Sequence, residues 1–371
     1  MKSLRNISKK FYLLLAVIIC GSIALAPALS DAARAPGSWP TRPVNWIVGF
    51  AAGGGSDVVA RTIGAAITDL SGMPISVTNI GGAASGIAGE VVLEAPADGY
   101  TLFGSLAHSP SSWAVNEYNN RFFTDFYFIP AIEGVFAILV ANDSEWETIE
   151  QLIADVSASP VSYRWGSPGF GSIGHLAGEL FVQAMGLDGV SHIGYSGGRE
   201  AVVRLMAGDV DFKFGGFTDV ADMIVAGDVR CLGIVAEQDK FIAAPTPYVA
   251  PSLINMFPQI AIAAELRSVW GVHFSRSTPP EVVKGIVEAI DLALQQDSVL
   301  KELVDVRAGN IVSARGIDSD ILSARIESLM AWGLWDVGIA TISPEEFGIP
   351  RIEDFSWPPH DRARDMNPWP N

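Results

Sequence analysis

Three consecutive glycines at positions 53–55, followed by Ser56 and Asp57, form a turn suited to holding a small anion. Residues 44–50 before them are apolar and of strand length, and apolar residues recur at helical spacing after Asp57. Glycines let backbone N–H groups approach a ligand closely, and a helix N-terminus carries partial positive charge. The pattern predicts a strand, an anion-binding turn and a helix capped by Ser56 or Asp57. A plain strand-to-helix connection explains the same residues.

Residues 169–174 read GFGSIG and match the dinucleotide-binding pattern G-x-G-x-x-G between a predicted strand and a predicted helix. That pattern also requires an acid about twenty positions later to bind the ribose. Residues 191–194 read SHIG and hold no acid, so we expect no nicotinamide or flavin cofactor. His175 lies one turn into the following helix, where it either reaches a ligand at the helix N-terminus or covers a partly buried surface.

Residues 194–198 read GYSGG and match G-x-S-x-G, the motif that carries the nucleophile of many serine hydrolases. The alternative function is therefore a hydrolase of carboxylic esters that uses Ser196. Asp211 or Asp219 would supply the acid and His273 the base. The motif is short, and the gap from Ser196 to His273 is brief for that class of enzyme.

Metal chemistry has little support in the sequence. The five histidines are scattered, and none makes a close ligand pair with another or with a cysteine. We expect neither a metal ion nor any other cofactor.

Strand and helix patterns alternate along the chain, which predicts parallel sheets with crossover helices. Short strands are predicted at 75–79 and 100–104, and Ser105 follows the second of them. Because ligands in such sheets bind at the carboxyl ends of strands, Ser105 and the first glycine turn share the candidate edge. Residues 136–236 repeat the alternation and predict a second sheet.

Cap residues mark two further helix starts. Thr148 and Gln151 fit a capping box, and Thr278 precedes two prolines and a glutamate. Residues 122–130 are aromatic-rich and predict irregular structure. Residues 339–371, rich in proline and tryptophan, predict an extended C-terminal tail.

Composition limits the partners that this chain can bind. A length of 371 residues suggests two domains, and 49% hydrophobic with 18% charged residues indicates sizeable cores. The formal net charge is -17. Nucleic acid and anionic membranes require clustered Lys and Arg, so we expect neither as a partner, and any anion site must be local.

The N-terminus is typical of a secretory signal. It has a basic start, an apolar run over 11–26 and small-residue cleavage positions up to residue 35, so residues 1–35 are predicted to be a signal peptide. A retained membrane anchor is the alternative, because the apolar run is long for the apolar region of a signal peptide, although it is short for a membrane span of about 20 residues. Beyond this segment only Cys231 remains, so the processed chain has no intrachain disulfide.

Several segments, taken together and in this order, resemble one family. They are WPTRP at 39–43, FAAGGGSDVVAR at 50–61, APADGYTL at 95–102, GSIGHLAGE at 171–179, LMAGDVD at 205–211 and TPPEVV at 278–283. This chain is similar to the substrate-binding receptors of tripartite tricarboxylate transporters, also called the Bordetella uptake family. The likeness covers about residues 39–335.

The resemblance implies an α/β, two-lobed, periplasmic-binding-protein-like (type II) fold, each lobe a mainly parallel sheet flanked by helices. Lobe 1 would comprise residues 39–137 and 241–338, lobe 2 residues 138–240, and residues 339–371 a C-terminal extension. It also implies an exported periplasmic receptor, not an enzyme, which binds a small organic carboxylate and delivers it to a membrane permease. We expect a monomer.

In this family the ligand is held mainly by backbone N–H groups, hydroxyls and water at two facing loops, here 50–57 and 169–172. The predicted ligand-binding residues are Phe50, Ala52, Gly53, Gly54, Ser56, Asp57, Ser105, Gly169, Phe170, Gly171, Ser172, His175 and Gly215. Gly215 and Gly216 stand where relatives usually have aspartate and asparagine, and Phe170 replaces a polar residue. These departures suggest a roomier site for a larger or aromatic carboxylate. The ligand and the permease are not identified by the sequence.

Overall fold

Two β-sheets organise the structure, and the chain passes from the first to the second through a single residue, Val135. This computed structural model describes residues 39–242, 245–260 and 265–370. The predicted signal peptide, residues 1–35, lies outside the described residues. Across the described ranges, no helix is both long enough and apolar enough to cross a membrane.

Thirteen strands are found in the described parts of the chain. They are β1 (Val44–Val48), β2 (Ile75–Asn79), β3 (Thr101–Leu106), β4 (Phe126–Gly134), β5 (Phe136–Ala141), β6 (Arg164–Ser167), β7 (Ser191–Gly194), β8 (Phe212–Gly216), β9 (Val229–Val235), β10 (Lys240–Ile242), β11 (Tyr248–Ala250), β12 (Ser268–Ser275) and β13 (Asn310–Ile311). The first sheet has the order β13-β4-β12-β3-β1-β2, and the second has the order β7-β6-β8-β5-β9. β10 and β11 form a separate hairpin.

Helices flank both sheets. They are α1 (Gly55–Ser71), α2 (Gly86–Glu94), α3 (Ser109–Val115), α4 (Ile149–Ala158), α5 (Ile173–Ala184), α6 (Gly198–Met206), α7 (Ala221–Ala226), α8 (Leu253–Met256), α9 (Pro280–Leu294), α10 (Asp297–Leu300), α11 (Ile317–Asp336) and α12 (Asp361–Asp365). A π-helical turn, Lys301–Val306, continues α10.

Each sheet mixes parallel and antiparallel pairs. β1 pairs in parallel with β2 and β3, and β6 with β7 and β8, as the alternating patterns predict. In the first sheet β12 runs antiparallel to β3 and β4, and in the second β5 runs antiparallel to β8 and β9. The two-lobed α/β class is therefore confirmed, whereas the description of the sheets as mainly parallel is corrected to mixed.

The unit β1–α1 follows the predicted pattern closely. Val59, Ile63 and Ile67 of α1 are buried in the largest core cluster. Leu70, the next apolar residue at helical spacing, is half exposed. Gly72 ends the helix in the left-handed conformation, and its N–H donates to Thr68 O.

The two predicted caps have different outcomes. Thr148 caps α4, because its hydroxyl accepts from the N–H of Gln151 while the Gln151 side chain accepts from the N–H of Thr148. Thr278 does not cap α9. That helix begins at Pro280 with Pro279 as its N-cap, and the Thr278 hydroxyl is buried without a partner.

The chain returns to the first sheet later than the sequence predicts. Lobe 2 is predicted to end at residue 240, but β11 and α8 still contact β9. The N–H of Ile234 donates to Pro251 O at 2.9 Å, and the N–H of Cys231 donates to the Tyr248 hydroxyl at 2.9 Å. The return therefore follows α8.

Candidate ligand-binding cleft between the two sheets

A cavity of about 40 Å³ lies where the loops after β1, β3, β6 and β8 meet. It is thus at the carboxyl ends of strands from both sheets, as expected for ligands in such folds. Its wall is formed by Phe50, Gly54, Gly55, Ser56, Ala84, Leu106, His108, Ser109, Ser112, Phe136, Pro168, Ser172, Ile173, Gly174, Gly198, Gly216, Asp219, Ser268 and Trp270.

The N-terminus of α1 forms one side of this cavity. Gly54 is the N-cap, with extended backbone, and the first helical turn begins at Gly55. Neither Ser56 nor Asp57 caps the helix as predicted, because both lie inside the first turn and no side chain bonds the cap. The Ser56 hydroxyl lies in the cavity wall, buried and without a hydrogen-bond partner in the described chain.

Asp57 stiffens the glycine loop and does not line the cavity. Its Oδ2 accepts from the N–H of Gly53 at 2.8 Å, and Asn79 and Arg61 also donate to the carboxylate. Burial by itself raises the pKa of Asp57, but the hydrogen bonds from Arg61, Gly53 and Asn79 outweigh it and hold the pKa below its ordinary value. Gly53, at φ +82°, lies against the Arg199 side chain.

The N-terminus of α5 forms the opposite side. The Ser172 hydroxyl caps this helix by accepting from the N–H of His175 at 3.2 Å. His175 Nδ1 in turn accepts from the N–H of Gly171 at 3.1 Å, where φ is +72°. His175 is buried, and its ring stacks on His192 at 3.8 Å. His175 thus fixes the loop at Gly171, and it is not among the residues that line the cavity.

Phe170 lies outside the cavity. It is 54% exposed and packs on the His175 ring at 4.8 Å. The aromatic rings that do line the cavity belong to Phe50, Phe136 and Trp270. Phe170 therefore does not line this cavity, and a roomier site for a larger or aromatic carboxylate stays a prediction.

Helix α3 supplies a third wall that the sequence analysis missed. His108, Ser109 and Ser112 line the cavity, and the Ser112 hydroxyl donates to Gly171 O at 2.6 Å across the cleft. His108 is 3% exposed with an unpartnered Nδ1, and burial lowers its pKa to about 3, so the ring is neutral. Ser105 lies behind this wall and bonds the Ser109 hydroxyl at 2.7 Å.

Asp219 is the second ionisable residue of the wall. It lies in the turn after β8, yet its Oδ1 accepts from the N–H of Gly55 in the first sheet's loop at 3.0 Å. Asp219 is 8% exposed, and burial raises its pKa, partly opposed by Lys213 and the Gly55 bond. No sequence signal pointed to its role as a cavity residue, because the contact joins positions 164 residues apart.

Four of the predicted ligand-binding residues line the cavity: Phe50, Gly54, Ser56 and Ser172. The others lie beside or behind it. Ala52 is exposed, Gly169 and Gly171 hold the positive φ angles of the second loop, and Gly215 covers the Lys213 ammonium group.

The hydrolase alternative finds no support in the geometry. Ser196 is exposed, and its hydroxyl donates to the Glu200 carboxylate. His273 is buried in the first sheet, with its ring packed on Phe128 at 4.3 Å.

Two α/β lobes that close loops and helix N-termini around one cavity define a solute-binding protein. The chain belongs to the tripartite tricarboxylate transporter family receptors, because the model of that family matches residues 59–313. Members of this family are binding proteins and not enzymes, which confirms the family and the non-enzymatic class predicted from the sequence.

Individual relatives agree with this assignment. Protein BugT of Bordetella pertussis is 28% identical over 299 residues, which are 78% of this chain and 86% of that protein. MatC of Rhodopseudomonas palustris, solved with malate, superposes with a TM-score of 0.69 at 21% identity, covering 81% of this chain and 100% of MatC. Rpa4515 of R. palustris, solved with adipate, gives 0.69 at 24% identity, covering 81% and 99%. These structures confirm the two-lobed fold.

Proposed function

We propose that this protein is a periplasmic receptor that binds a small organic carboxylate between its lobes and delivers it to a tripartite tricarboxylate-type permease. One observation carries the proposal: the N-termini of α1 and α5 converge on one cavity whose described wall contains no lysine or arginine. The first turn of each helix leaves N–H groups without an intrahelical acceptor, and these favour an anion.

The energetics are adequate for a transport receptor. A hydrogen bond to a charged group contributes about 1.5–3 kcal/mol net, so several such bonds suffice for micromolar affinity. The ligands of the two structural relatives, malate and adipate, are both carboxylates, which supports this class of ligand for the present chain.

When the two lobes close, a ligand that is bound to one lobe also comes into contact with the other. The described structure has the cleft closed, since Ala51 N–H donates to Ser196 O at 3.2 Å and Ser112 bonds Gly171 O. We assign residues 39–137 to lobe 1 and residues 138–240 to lobe 2. Of residues 241–338, which the sequence analysis assigned to lobe 1, the β10–β11 hairpin and α8 move with lobe 2 and the part after α8 moves with lobe 1. Ligand that contacts both lobes shifts the population toward this closed form.

Gly54→Val tests the site directly. A Cβ at Gly54 meets only Ala51 O at 3.5 Å, so the fold accepts the side chain, which then occupies the cavity. A thermal-shift screen of mono- and dicarboxylates and amino acids identifies the ligand, and titration calorimetry measures its affinity. We expect Gly54→Val to weaken binding at least 100-fold while the melting temperature without ligand stays within a few degrees of wild type.

Gly81→Val is the matched control, because Gly81 is exposed, has open space for a Cβ and lies outside the cavity wall. It should bind like wild type. Undiminished binding by Gly54→Val would place the site elsewhere. Delivery is tested separately, by comparing uptake of the identified ligand in cells with and without the receptor gene.

A further inference from the structure

Asp219 places a carboxylate inside a cavity that we propose binds carboxylates. Its Oδ1 is 3.0 Å from the N–H of Gly55, so it stands at the very helix N-terminus that would hold the ligand's anion. Both Asp219 and the neighbouring Gly54 and Ser56 belong to the cavity wall. A ligand carboxylate bound at this helix end would therefore lie beside the Asp219 carboxylate.

Two nearby arginines are paired with carboxylates outside the cavity wall, and the nearby lysine is not part of that wall. Arg199 pairs with Asp222 at 2.9 Å, and the Arg307 side chain pairs with Asp222 and Glu302. Lys213 is buried beneath Gly215 and is not part of the cavity wall, although its charge opposes the effect of burial on Asp219. Among the described residues that line the cavity, only His108 and Asp219 titrate, and neither is cationic at neutral pH.

Two further polar groups of the cavity wall are available to bind a ligand. The Ser56 hydroxyl and His108 Nδ1 are buried and have no partner in the described chain. The rest of the wall is largely apolar, from Phe50, Phe136 and Trp270 among others. The site thus combines an anion-binding helix end, an adjacent carboxylate, unpaired neutral polar groups and an apolar wall.

We propose that the ligand is an α-amino acid with a small apolar side chain, whose ammonium group binds Asp219 while its carboxylate binds the N-terminus of α1. This inference rests on the proposed function, since it assumes that the cavity is the binding site. An α-ammonium group lies next to its carboxylate, so it fits between the ligand's own anion and that of Asp219. The zwitterion is neutral overall, whereas a dicarboxylate brings two negative charges next to the carboxyl group of Asp219.

Matched ligand pairs test the proposal on the wild-type protein. Leucine and 4-methylpentanoate differ only in the ammonium group, as do valine and 3-methylbutanoate, and aspartate and succinate. Titration calorimetry at pH 7 should show the apolar amino acids binding at least tenfold more tightly than their partners that lack the ammonium group. Equal or tighter binding of 4-methylpentanoate, or a preference for succinate over every amino acid, overturns the proposal while leaving the receptor function intact.

Asp219→Asn tests whether Asp219 is the residue that binds the ammonium group of the ligand. The amide keeps the size of the side chain and removes its charge, so leucine should lose at least tenfold in affinity while 4-methylpentanoate does not weaken. Asp188→Asn removes a charge from an exposed position at the far end of α5 and should change neither affinity. A parallel loss for both ligands in Asp219→Asn contradicts a contact with the ammonium group.

The outcomes separate the two proposals. If no acid of any class binds the wild-type protein or Asp219→Asn, the receptor function fails and this inference fails with it. If Asp219→Asn does not fold, as judged by its melting transition, the comparison of ligand pairs on the wild-type protein decides the question alone.

Discussion

Lys213 is the residue of the second sheet whose surroundings fit its chemistry least. It is fully buried, and its ammonium group has no hydrogen-bond partner within the described residues. Burial lowers its pKa to about 8, partly opposed by the charges of Asp219 and Cys231. The side chain lies on the face of β8 that also carries Gly215, where any Cβ would meet the ammonium group. This explains why glycine occupies position 215 without contacting the cavity.

Lys213→Met should raise the free energy of unfolding at pH 7 by roughly 1–3 kcal/mol, because it removes a buried charge and keeps the apolar stem. Between pH 8 and the ordinary lysine pKa of 10.5 the unfolded chain binds more protons at this position than the folded chain. Wild-type stability therefore rises with pH across that window, and the advantage of the variant should shrink. Urea unfolding at pH 7, 8.5 and 10 measures both effects.

Lys284→Met provides the control, since Lys284 is exposed on α9. The change that Lys284→Met makes in the free energy of unfolding should be about the same at pH 7 and at pH 10. A large loss of stability in Lys213→Met at pH 7 would show that the ammonium group is needed by Asp219 and that its burial is not a net cost.

At the scale of elements, the two helix N-termini at the cleft differ in how they are capped. α1 has a glycine cap and a loop fixed by Asp57, so its first turn is open to a ligand and to Asp219. α5 has a serine cap, and His175 binds the N–H of Gly171. One terminus thus leaves room for an anion, while the other is held rigid by side chains of its own loop.

Ser172→Ala removes the α5 cap and should cost about 1 kcal/mol of stability, because an N-cap hydroxyl contributes about 0.5–2 kcal/mol. It should also weaken ligand binding, because Ser172 lines the cavity and positions the loop at Gly171. Urea unfolding and calorimetry measure the two effects separately.

Thr148→Ala removes an equivalent cap from α4, away from the cavity wall. It should cost a similar free energy of unfolding and leave ligand affinity unchanged. Equal affinity in both cap variants would show that Ser172 acts on the fold alone.

At the scale of the whole molecule, the sequence predicted those parts whose signals are local. β1, the glycine turn and α1 follow from an apolar run, glycines and helical periodicity in consecutive residues. Most of β4 lies in residues 122–130, which were predicted to be irregular because they are aromatic-rich, yet every residue of the strand except Glu133 is buried. The antiparallel strand β12, which fills the centre of the first sheet, was not predicted at all.

In the cleft, too, only the residues with local sequence signals were predicted. Phe50, Gly54, Ser56 and Ser172 were predicted because the family resemblance points to the two strand-to-helix turns at 50–57 and 169–172. Asp219, His108 and the serines of α3 were missed, since only the folded arrangement of the two sheets brings them to the same cavity. Long-range contacts of this kind leave no pattern in the residues around either partner.

The C-terminal tail, residues 339–371, lies beyond the residues 59–313 that match the family model and is attached to the protein beside a buried ion pair. Arg276 and Asp320 form this pair at 2.7 Å, and Trp369 donates to Asp320 Oδ2 at 2.9 Å while its ring packs on Tyr127 at 4.8 Å. Residues 341 and 342 also donate to Val115 O, at the end of the helix that lines the cavity. The tail therefore supports the wall formed by α3.

Trp369→Ala should lower the free energy of unfolding by about 1–3 kcal/mol, because it removes an aromatic contact and a hydrogen bond to a charged group. Trp335→Ala, which truncates a 39% exposed tryptophan on α11, should cost less than half as much. Ligand affinity should fall modestly in Trp369→Ala, because Trp369 anchors the tail whose residues 341 and 342 bond the end of α3. It should stay unchanged in Trp335→Ala, because the Trp335 side chain is exposed and does not anchor the tail. If both variants lose the same stability and keep full affinity, the tail is a surface appendage with no influence on the cleft.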